Sequence, residues 1–249
     1  METVTKLIAD DLTSLETTIQ KLITTKIGFI KEIVNHIIRS GGKRVRPILI
    51  MLTARLCKYK GDKHIPYAAI IEFIHTATLL HDDVVDNAQT RRGSSTANTL
   101  WGNEPSVLVG DFLFSKSFEL MAHNGNEEIM RIVSEATTSL AEGEILELLK
   151  TCDADTTEDE YFEIIKNKTA SLFSAACEVG AILGKVNQNK REALRDFGYN
   201  LGMAFQLTDD VLDYVSYDAV LGKRVGTDLK EGKVTLPLIP AFKSSADKE

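Results

Sequence analysis

Two stretches of the sequence carry three aspartates each in the same spacing, Asp-Asp-x-x-Asp. On a helix, the first and last acids of such a motif lie four residues apart and share one face, where like charges destabilise the helix by about a few tenths of a kcal/mol. A cation would relieve that repulsion. Mg²⁺ prefers hard oxygen ligands and commonly bridges one or two carboxylates to substrate phosphates. The pattern therefore predicts two halves of a magnesium site, made by Asp82, Asp83 and Asp86 and by Asp209, Asp210 and Asp213.

A single acidic motif is as often a solvated helix surface as a metal site, but two copies in one chain favour the metal site. His75 lies seven residues before Asp82, two helical turns back on the same face. A helix histidine is more often structural, yet beside a phosphate site it could donate a hydrogen bond to an oxygen.

Several short basic clusters could bind the phosphates. Gly41 and Gly42 precede three cations, and two arginines follow the first aspartate motif. Glycine lets the backbone approach a ligand closely, and arginine offers a planar fork to phosphate oxygens. The alternative for the arginine pair is a weak surface ion-pair network with the neighbouring aspartates. The basic residues in question are Lys43, Arg44, Arg46, Arg91, Arg92, Lys166, Lys168, Lys223, Arg224 and Lys233.

The elements that must position these residues are helices. Apolar residues recur at three- and four-residue spacing nearly everywhere, and no convincing alternating strand is present. Thr157 with Glu160 resembles a capping box at the start of one helix. The pattern predicts helices near residues 3–25, 29–39, 48–59, 66–86, 106–122, 127–150, 158–184 and 190–216.

Composition bounds the class of protein. The chain has 249 residues, 43% hydrophobic and 26% charged, which suits one sizeable core in a single domain. A net charge of −7 argues against nucleic acid as a partner. Three cysteines without a paired spacing predict reduced thiols. No signal-peptide layout and no apolar run of the ~20 residues that span a bilayer is present, so we expect a cytoplasmic protein.

The motifs together resemble those of the trans-prenyl diphosphate synthases, or polyprenyl synthetases. The resemblance runs from about Ile38 to Leu238 and rests on GGKRVRP, LLHDDVVDNAQTRRG, a KT pair in a long helix, FQLTDDVLD and GKVTLP, in family order. It implies an all-α bundle around a central cavity, as one polyprenyl synthetase domain over residues 1–249. The chain stops at KSSADKE, and by this resemblance we expect the C-terminal helices of the family to be missing.

The resemblance also implies a role for each matching residue. Asp82, Asp86 and Asp209 would bind magnesium, with Asp83, Asp210 and Asp213 as supporting acids. Isopentenyl diphosphate would be held by Lys43, Arg46, His75 and Arg92. The allylic side would consist of Arg91, Lys168, Thr169, Gln206, Lys223 and Lys233, with Arg224 in place of Lys223 if the loop aligns one residue differently. Lys168, Thr169 and Gln206 would be catalytic.

The implied reaction is the sequential head-to-tail condensation of isopentenyl diphosphate onto an allylic prenyl diphosphate, and the resemblance also suggests a homodimer. Side chains on a helix point toward its N-terminus, so residues just before Asp82 should line the cavity below the metal. Ala77 and Thr78 are small there, and Phe73 could form a deeper floor. This predicts a long-chain, octaprenyl-type synthase whose membrane-seeking lipid product becomes the side chain of a quinone such as ubiquinone.

Three alternatives compete with this interpretation. A terpene cyclase would carry Asn, Ser or Thr, and Glu in its second metal motif, whereas this chain repeats the aspartate motif. A helical metal phosphohydrolase is suggested by His81 beside Asp82 but needs further histidine ligands. A non-catalytic or impaired subunit of a prenyl synthase is suggested by the short C-terminus.

Overall fold

The computed structural model describes residues 2–215 and 226–244. Its elements are helical apart from one small hairpin, which confirms the predicted all-α class. The helices are α1 (Glu2–Leu7), α2 (Ala9–Leu22), α3 (Gly28–Arg39), α4 (Val45–Leu56), α5 (His64–Val85), α6 (Ala97–Trp101), α7 (Asn103–Asn124), α8 (Glu127–Lys150), α9 (Glu158–Ile165), a π-helical segment (Lys166–Ala170), α10 (Ser171–Leu183), α11 (Gln188–Val215), α12 (Thr227–Lys230) and α13 (Leu238–Ser244).

The helix boundaries differ from prediction in two instructive places. A continuous helix over 3–25 is wrong, because the chain turns at Ile8, which is fully buried in the core, between α1 and α2. The helix predicted over 158–184 is interrupted by the π-helical segment. Its start is as predicted: the Thr157 hydroxyl accepts from the Glu160 N–H while the Glu160 carboxylate accepts from the Thr157 N–H, a complete capping box.

Two glycines bring neighbouring helices directly onto the π-helical segment. A Cβ atom at Gly143 of α8 would lie 2.6 Å from the backbone nitrogen of Lys168, and one at Gly202 of α11 would lie 2.6 Å from the Cα of Ala170. Real Cβ contacts are not that short, so a larger residue at either position would push the backbones apart. The segment is thus held between α8 and α11.

The core is built around α5, which is buried on most of its circumference and packs against α4 and α7. Large side chains such as Tyr67, Phe73 and Phe173 are fully buried there. A separate small apolar cluster joins Tyr161 and Ile165 to Ile239. α10 packs against both α5 and α11, the two helices that carry the aspartate motifs, and α11 also packs against the π-helical segment.

A short antiparallel hairpin, β1 (Thr90–Arg91) and β2 (Ser94–Ser95), follows the first aspartate motif. Both turn residues, Arg92 and Gly93, have positive φ, at 53° and 78°, as a two-residue hairpin turn requires. The sequence analysis predicted no strand here, because strands of two residues are too short to show alternation. None of the described helices combines the length and the apolar composition needed to cross a membrane.

Candidate active site

The first aspartate motif closes the C-terminal end of α5. Asp82 lies in its last turn, half-buried, and Asp86 is the C-cap residue. Burial, together with the nearby carboxylate of Glu144, raises the pKa of Asp82 to about 7, although Lys168 and Arg91 act in the opposite direction. A carboxyl with that pKa is poised to exchange its proton for a cation at neutral pH.

Lys168 bridges the π-helical segment to α8. Its ammonium lies 2.9 Å from Glu144 Oε2 and 2.5 Å from Glu147 Oε2. Burial alone would lower the pKa of Lys168, but the charges of Glu147, Glu144 and Asp82 outweigh it and raise the pKa. The lysine therefore stays charged among three carboxylates. Sequence reasoning found Lys168 but missed both glutamates; their i, i+3 spacing just after Gly143 was the available signal.

Lys233 brings the loop after α12 to the first motif. Its ammonium lies 2.9 Å from Asp86 Oδ2 and 2.9 Å from Glu231 Oε2. A hydrogen bond from the Cys152 N–H to the Gly232 carbonyl oxygen, with an N–O distance of 2.8 Å, holds this loop in position. Lys233, 147 positions away in sequence, thus reaches Asp86.

The second motif meets the same region through hydrogen bonds. Thr169 Oγ1 donates to Gln206 Oε1 at 2.7 Å, and Gln206 Nε2 donates to Asp210 Oδ1 at 2.8 Å. The Tyr161 hydroxyl donates to the other oxygen of Asp210. Burial raises the pKa of Asp210 to about 6, although these two donors favour its charged form. The two motifs are therefore linked through neighbouring residues, Lys168 and Thr169.

The other two acids of the second motif differ in environment. Asp213 is fully buried, and its Oδ2 accepts the backbone N–H of Asp228 at 3.1 Å. Its backbone carbonyl also accepts the Gly226 N–H at 2.8 Å. Asp209 is exposed. The arrangement leaves Asp209 available to a ligand, while Asp210 and Asp213 hold the surrounding structure in place.

A second, cationic region lies around His75. The Arg46 guanidinium carbon lies 4.9 Å from the centroid of the Phe173 ring, and its buried Nε–H has no hydrogen-bond partner within the described part of the chain. Burial lowers the pKa of Arg46 to about 10. Burial and the charges of Arg46, Arg92, Arg91 and Arg44 hold the pKa of His75 well below its usual range. The neutral imidazole lies among guanidinium groups, and one of these has an N–H without an acceptor. Such surroundings favour the binding of an anion.

Three of the predicted cations, Arg91, Arg44 and Arg92, have protein partners in this structure. Arg91 Nε donates to the buried Asp83 carboxylate at 2.8 Å, as the ion-pair alternative proposed. Arg44 Nη1 lies 2.6 Å from Glu72 Oε1. Arg92 donates to the carbonyl of Gly41, whose φ of 88° is the left-handed conformation that glycine favours. Lys43 is exposed.

Other predicted residues fall elsewhere. His81 packs against Phe114, and its Nε2 lies 3.1 Å from the Val107 carbonyl oxygen and 3.5 Å from Asp111 Oδ1, so it points to α7 and not to the aspartate motif beside it. The proposed chain-length residues Phe73, Ala77 and Thr78 are all buried on α5. Lys223 and Arg224 lie outside the described residues.

The acids of the two motifs are the candidate ligands for a divalent ion. Across residues 2–215 and 226–244, no three or more His, Cys, Asp or Glu side chains converge closely enough to hold one. The donor set is nevertheless suitable, because Asp82, Asp86 and Asp209 offer only hard oxygens. The Lys233 ammonium beside Asp86 also shows that this position accommodates positive charge. These residues fit Mg²⁺ better than a softer metal.

Comparisons with known proteins find similarity over nearly the whole chain. A family model described as polyprenyl synthetase matches residues 28–249. The octaprenyl diphosphate synthase of Escherichia coli (strain K12) is 45% identical over 242 residues, which cover 97% of this chain and 75% of that protein. The geranyl-diphosphate-specific all-trans-nonaprenyl-diphosphate synthase of Rhodobacter capsulatus is 45% identical over 240 residues, 96% of this chain and 73% of the relative.

A solved structure extends the likeness to the fold. The crystal structure of a polyprenyl synthase from Caulobacter crescentus CB15, complexed with calcium and isoprenyl diphosphate, superposes with a TM-score of 0.94 at 45% identity. The match covers 99% of this chain and 75% of that one.

Proposed function

Because the chain belongs to the polyprenyl synthetase family, we propose that it condenses isopentenyl diphosphate repeatedly, head to tail, onto an allylic prenyl diphosphate. The product is a long-chain trans-polyprenyl diphosphate, the precursor of a quinone side chain. The observation that carries the proposal is that two adjacent residues, Lys168 and Thr169, interact with groups that lie next to the first and the second aspartate motif, respectively. Lys168 forms an ion pair with Glu144, whose charge also acts on Asp82. Thr169 donates to Gln206, which in turn donates to Asp210.

The diphosphate of the allylic substrate would bind between the motifs. Asp82, Asp86 and Asp209 would hold Mg²⁺, with Asp83, Asp210 and Asp213 as supporting acids; when bound, Mg²⁺ stabilises the negative charge that develops on the departing diphosphate. The calcium and isoprenyl diphosphate of the Caulobacter crescentus relative support a divalent ion and this class of ligand. Both resident lysines, Lys168 and Lys233, would exchange carboxylate partners for phosphate oxygens.

Isopentenyl diphosphate would bind in the cationic region. Arg46 carries a buried N–H without an acceptor and His75 stays neutral, able to donate one N–H. Arg92 lies on the Gly41 carbonyl, and Lys43 is exposed at the start of the same loop. A second diphosphate would supply the acceptors that these donors lack, without needing a metal.

The allylic carbocation formed in this reaction must be shielded from water and must lie beside electron-rich protein groups. Thr169 is buried beside Gln206, and it lies in a π-helical segment, where the usual i to i−4 bonding is interrupted. The allylic carbon–oxygen bond breaks and the electrons leave with the diphosphate. The isopentenyl double bond attacks the allylic carbon, and a proton passes to the released diphosphate. Arg91 and Lys223 complete the proposed allylic set.

Product length should depend on the size of the α5 side chains that precede the first aspartate motif. Ala77 and Thr78 precede Asp82 by about one turn, and neither presents a bulky side chain to stop a growing tail. Phe73 lies one turn further and would form the floor. The octaprenyl and nonaprenyl activities named for the relatives support a long product.

A homodimer is the proposed assembly, with residues 1–249 contributing one domain per subunit. Several apolar side chains are exposed on α7 and α8, including Leu108, Ile145, Leu148 and Leu149, which are 66%, 59%, 59% and 71% exposed. Exposed apolar residues on helices that pack together favour a subunit interface in this part of the fold.

The test is to incubate purified protein with labelled isopentenyl diphosphate, geranyl or farnesyl diphosphate, and Mg²⁺, and to size the extracted chains. We expect a long prenyl product that requires Mg²⁺ and disappears in Asp82→Ala. Phosphate release without any isoprenoid would favour the phosphohydrolase alternative. A folded protein that makes no product alone but restores activity to a second synthase chain would favour the non-catalytic subunit.

A further inference from the structure

A largely buried chain of hydrogen bonds runs from α9 to the π-helical segment. It begins at the hydroxyl of Tyr161, passes through the carboxylate of Asp210 and the amide of Gln206, and ends at the hydroxyl of Thr169. Tyr161, Asp210 and Thr169 are only 2%, 4% and 4% exposed, so water has little access to these groups. Tyr161 has no role in the function described so far.

The chemistry of these groups fixes the direction of every hydrogen bond. An ionised carboxylate can only accept, so both the Tyr161 O–H and the Gln206 NH₂ must donate to Asp210. The carbonyl end of the Gln206 amide must then face Thr169, and the Thr169 hydroxyl must donate to it. The proton of Thr169 is thereby committed to Gln206, and the lone pairs of its oxygen are left for whatever lies on the other side.

We propose that Tyr161 is a positioning residue for prenyl transfer: by anchoring Asp210, it fixes the orientation of Gln206 and makes Thr169 present its oxygen lone pairs to the allylic cation. The proposal rests on the proposed function. Tyr161 itself touches no reacting atom. Were the amide of Gln206 to turn over, its NH₂ group would donate to Thr169, and the threonine proton would point toward the cation and repel it.

The competing explanation is that Tyr161 is only a core residue. Its ring packs with Ile165 and Ile239, and Tyr161→Phe preserves that packing while removing the hydroxyl. The chain offers a matched control in Tyr214, whose hydroxyl also makes one side-chain hydrogen bond, at 2.9 Å to Thr235. Tyr214 is on α11, the helix of Asp210, but outside the hydrogen-bond chain.

The experiment compares steady-state kinetics and melting temperature for wild type, Tyr161→Phe and Tyr214→Phe, with geranyl diphosphate, isopentenyl diphosphate and Mg²⁺. We expect Tyr161→Phe to lower kcat by about tenfold with the KM of both substrates changed by less than about twofold, because a transition-state interaction is lost rather than binding. Tyr214→Phe should keep its kcat within about twofold of wild type. Equal kcat values for the two variants would overturn the proposal.

A double-mutant cycle separates positioning from a general structural effect. Gln206→Ala cuts the hydrogen-bond chain, so adding Tyr161→Phe in that background should change kcat by less than about twofold. The same loss in both backgrounds would contradict the coupling. Asp210→Asn keeps the shape but frees Gln206 to turn, and an unchanged kcat in this variant would also overturn the proposal. Absence of product from wild type is a different outcome, which refutes the proposed function instead.

Discussion

Gly143 lies where α8 crosses the π-helical segment, and replacing it with alanine should separate the two. The added Cβ would lie 2.6 Å from the Lys168 nitrogen and 3.1 Å from the Asn167 carbonyl carbon. The first contact is about 0.8 Å shorter than an ordinary one, and it involves backbone that no rotamer change can move. The strain should fall on the neighbouring ion pairs between Lys168 and the α8 glutamates.

The expected magnitude follows from two opposing effects. Overpacking at a close contact costs about 1–3 kcal/mol, whereas alanine in place of glycine within a helix gains up to about 1 kcal/mol. We therefore expect Gly143→Ala to lower the free energy of unfolding by about 1 kcal/mol. A shift of about 1 Å in the position of Lys168 should lower kcat by ten- to a hundredfold.

The assay pairs urea unfolding with steady-state kinetics, and Gly28→Ala is its control. Gly28 begins α3 and has no heavy atom within 4 Å of a built Cβ, so its replacement should change stability by no more than about 0.5 kcal/mol and leave kcat unaltered. Wild-type stability and kcat in Gly143→Ala would refute the close-packing argument.

Two further predictions concern charge. Arg46→Met should leave the substrate-free protein at least as stable as wild type, because a buried guanidinium N–H that lacks an acceptor is removed. The same variant should raise the KM for isopentenyl diphosphate at least about tenfold. A destabilised variant with normal KM would contradict this prediction. In metal-free protein, the raised pKa values of Asp82 and Asp210, about 7 and about 6, mean that the folded state binds more protons than the unfolded state between about pH 4 and 7. The contribution of these acids to stability should therefore fall as pH rises through that window, and urea unfolding from pH 5 to 8 should show a smaller fall when both are replaced by asparagine; an unchanged fall would contradict the prediction.

The helices and the acidic motifs could be predicted from the sequence because both are local. The 3.6-residue period, the Thr157–Glu160 capping box and the i, i+4 aspartates need only neighbours along the chain. The hairpin was missed because its strands span only two residues each. The turn at Ile8 was missed because it depends on the core that buries this residue.

The partners of the site residues could not be predicted in the same way. Lys168 meets Glu147 across 21 positions, and Tyr161 meets Asp210 across 49. These contacts depend on how closely α8 and α11 pack on the π-helical segment, which is set by single glycines rather than by a periodic pattern. Arg91 differs, since the sequence already offered an ion pair with the neighbouring aspartates as an alternative, and the fold pairs Arg91 with buried Asp83.

The measurement that tests the central claim most directly is a calorimetric titration with an unreactive allylic thiolodiphosphate in the presence of Mg²⁺. If both aspartate motifs bind one metal–diphosphate group, Asp82→Asn and Asp209→Asn should each weaken binding at least about tenfold, while Asp196→Asn, an exposed acid elsewhere on α11, should not. Unchanged affinity in either motif variant would contradict the account.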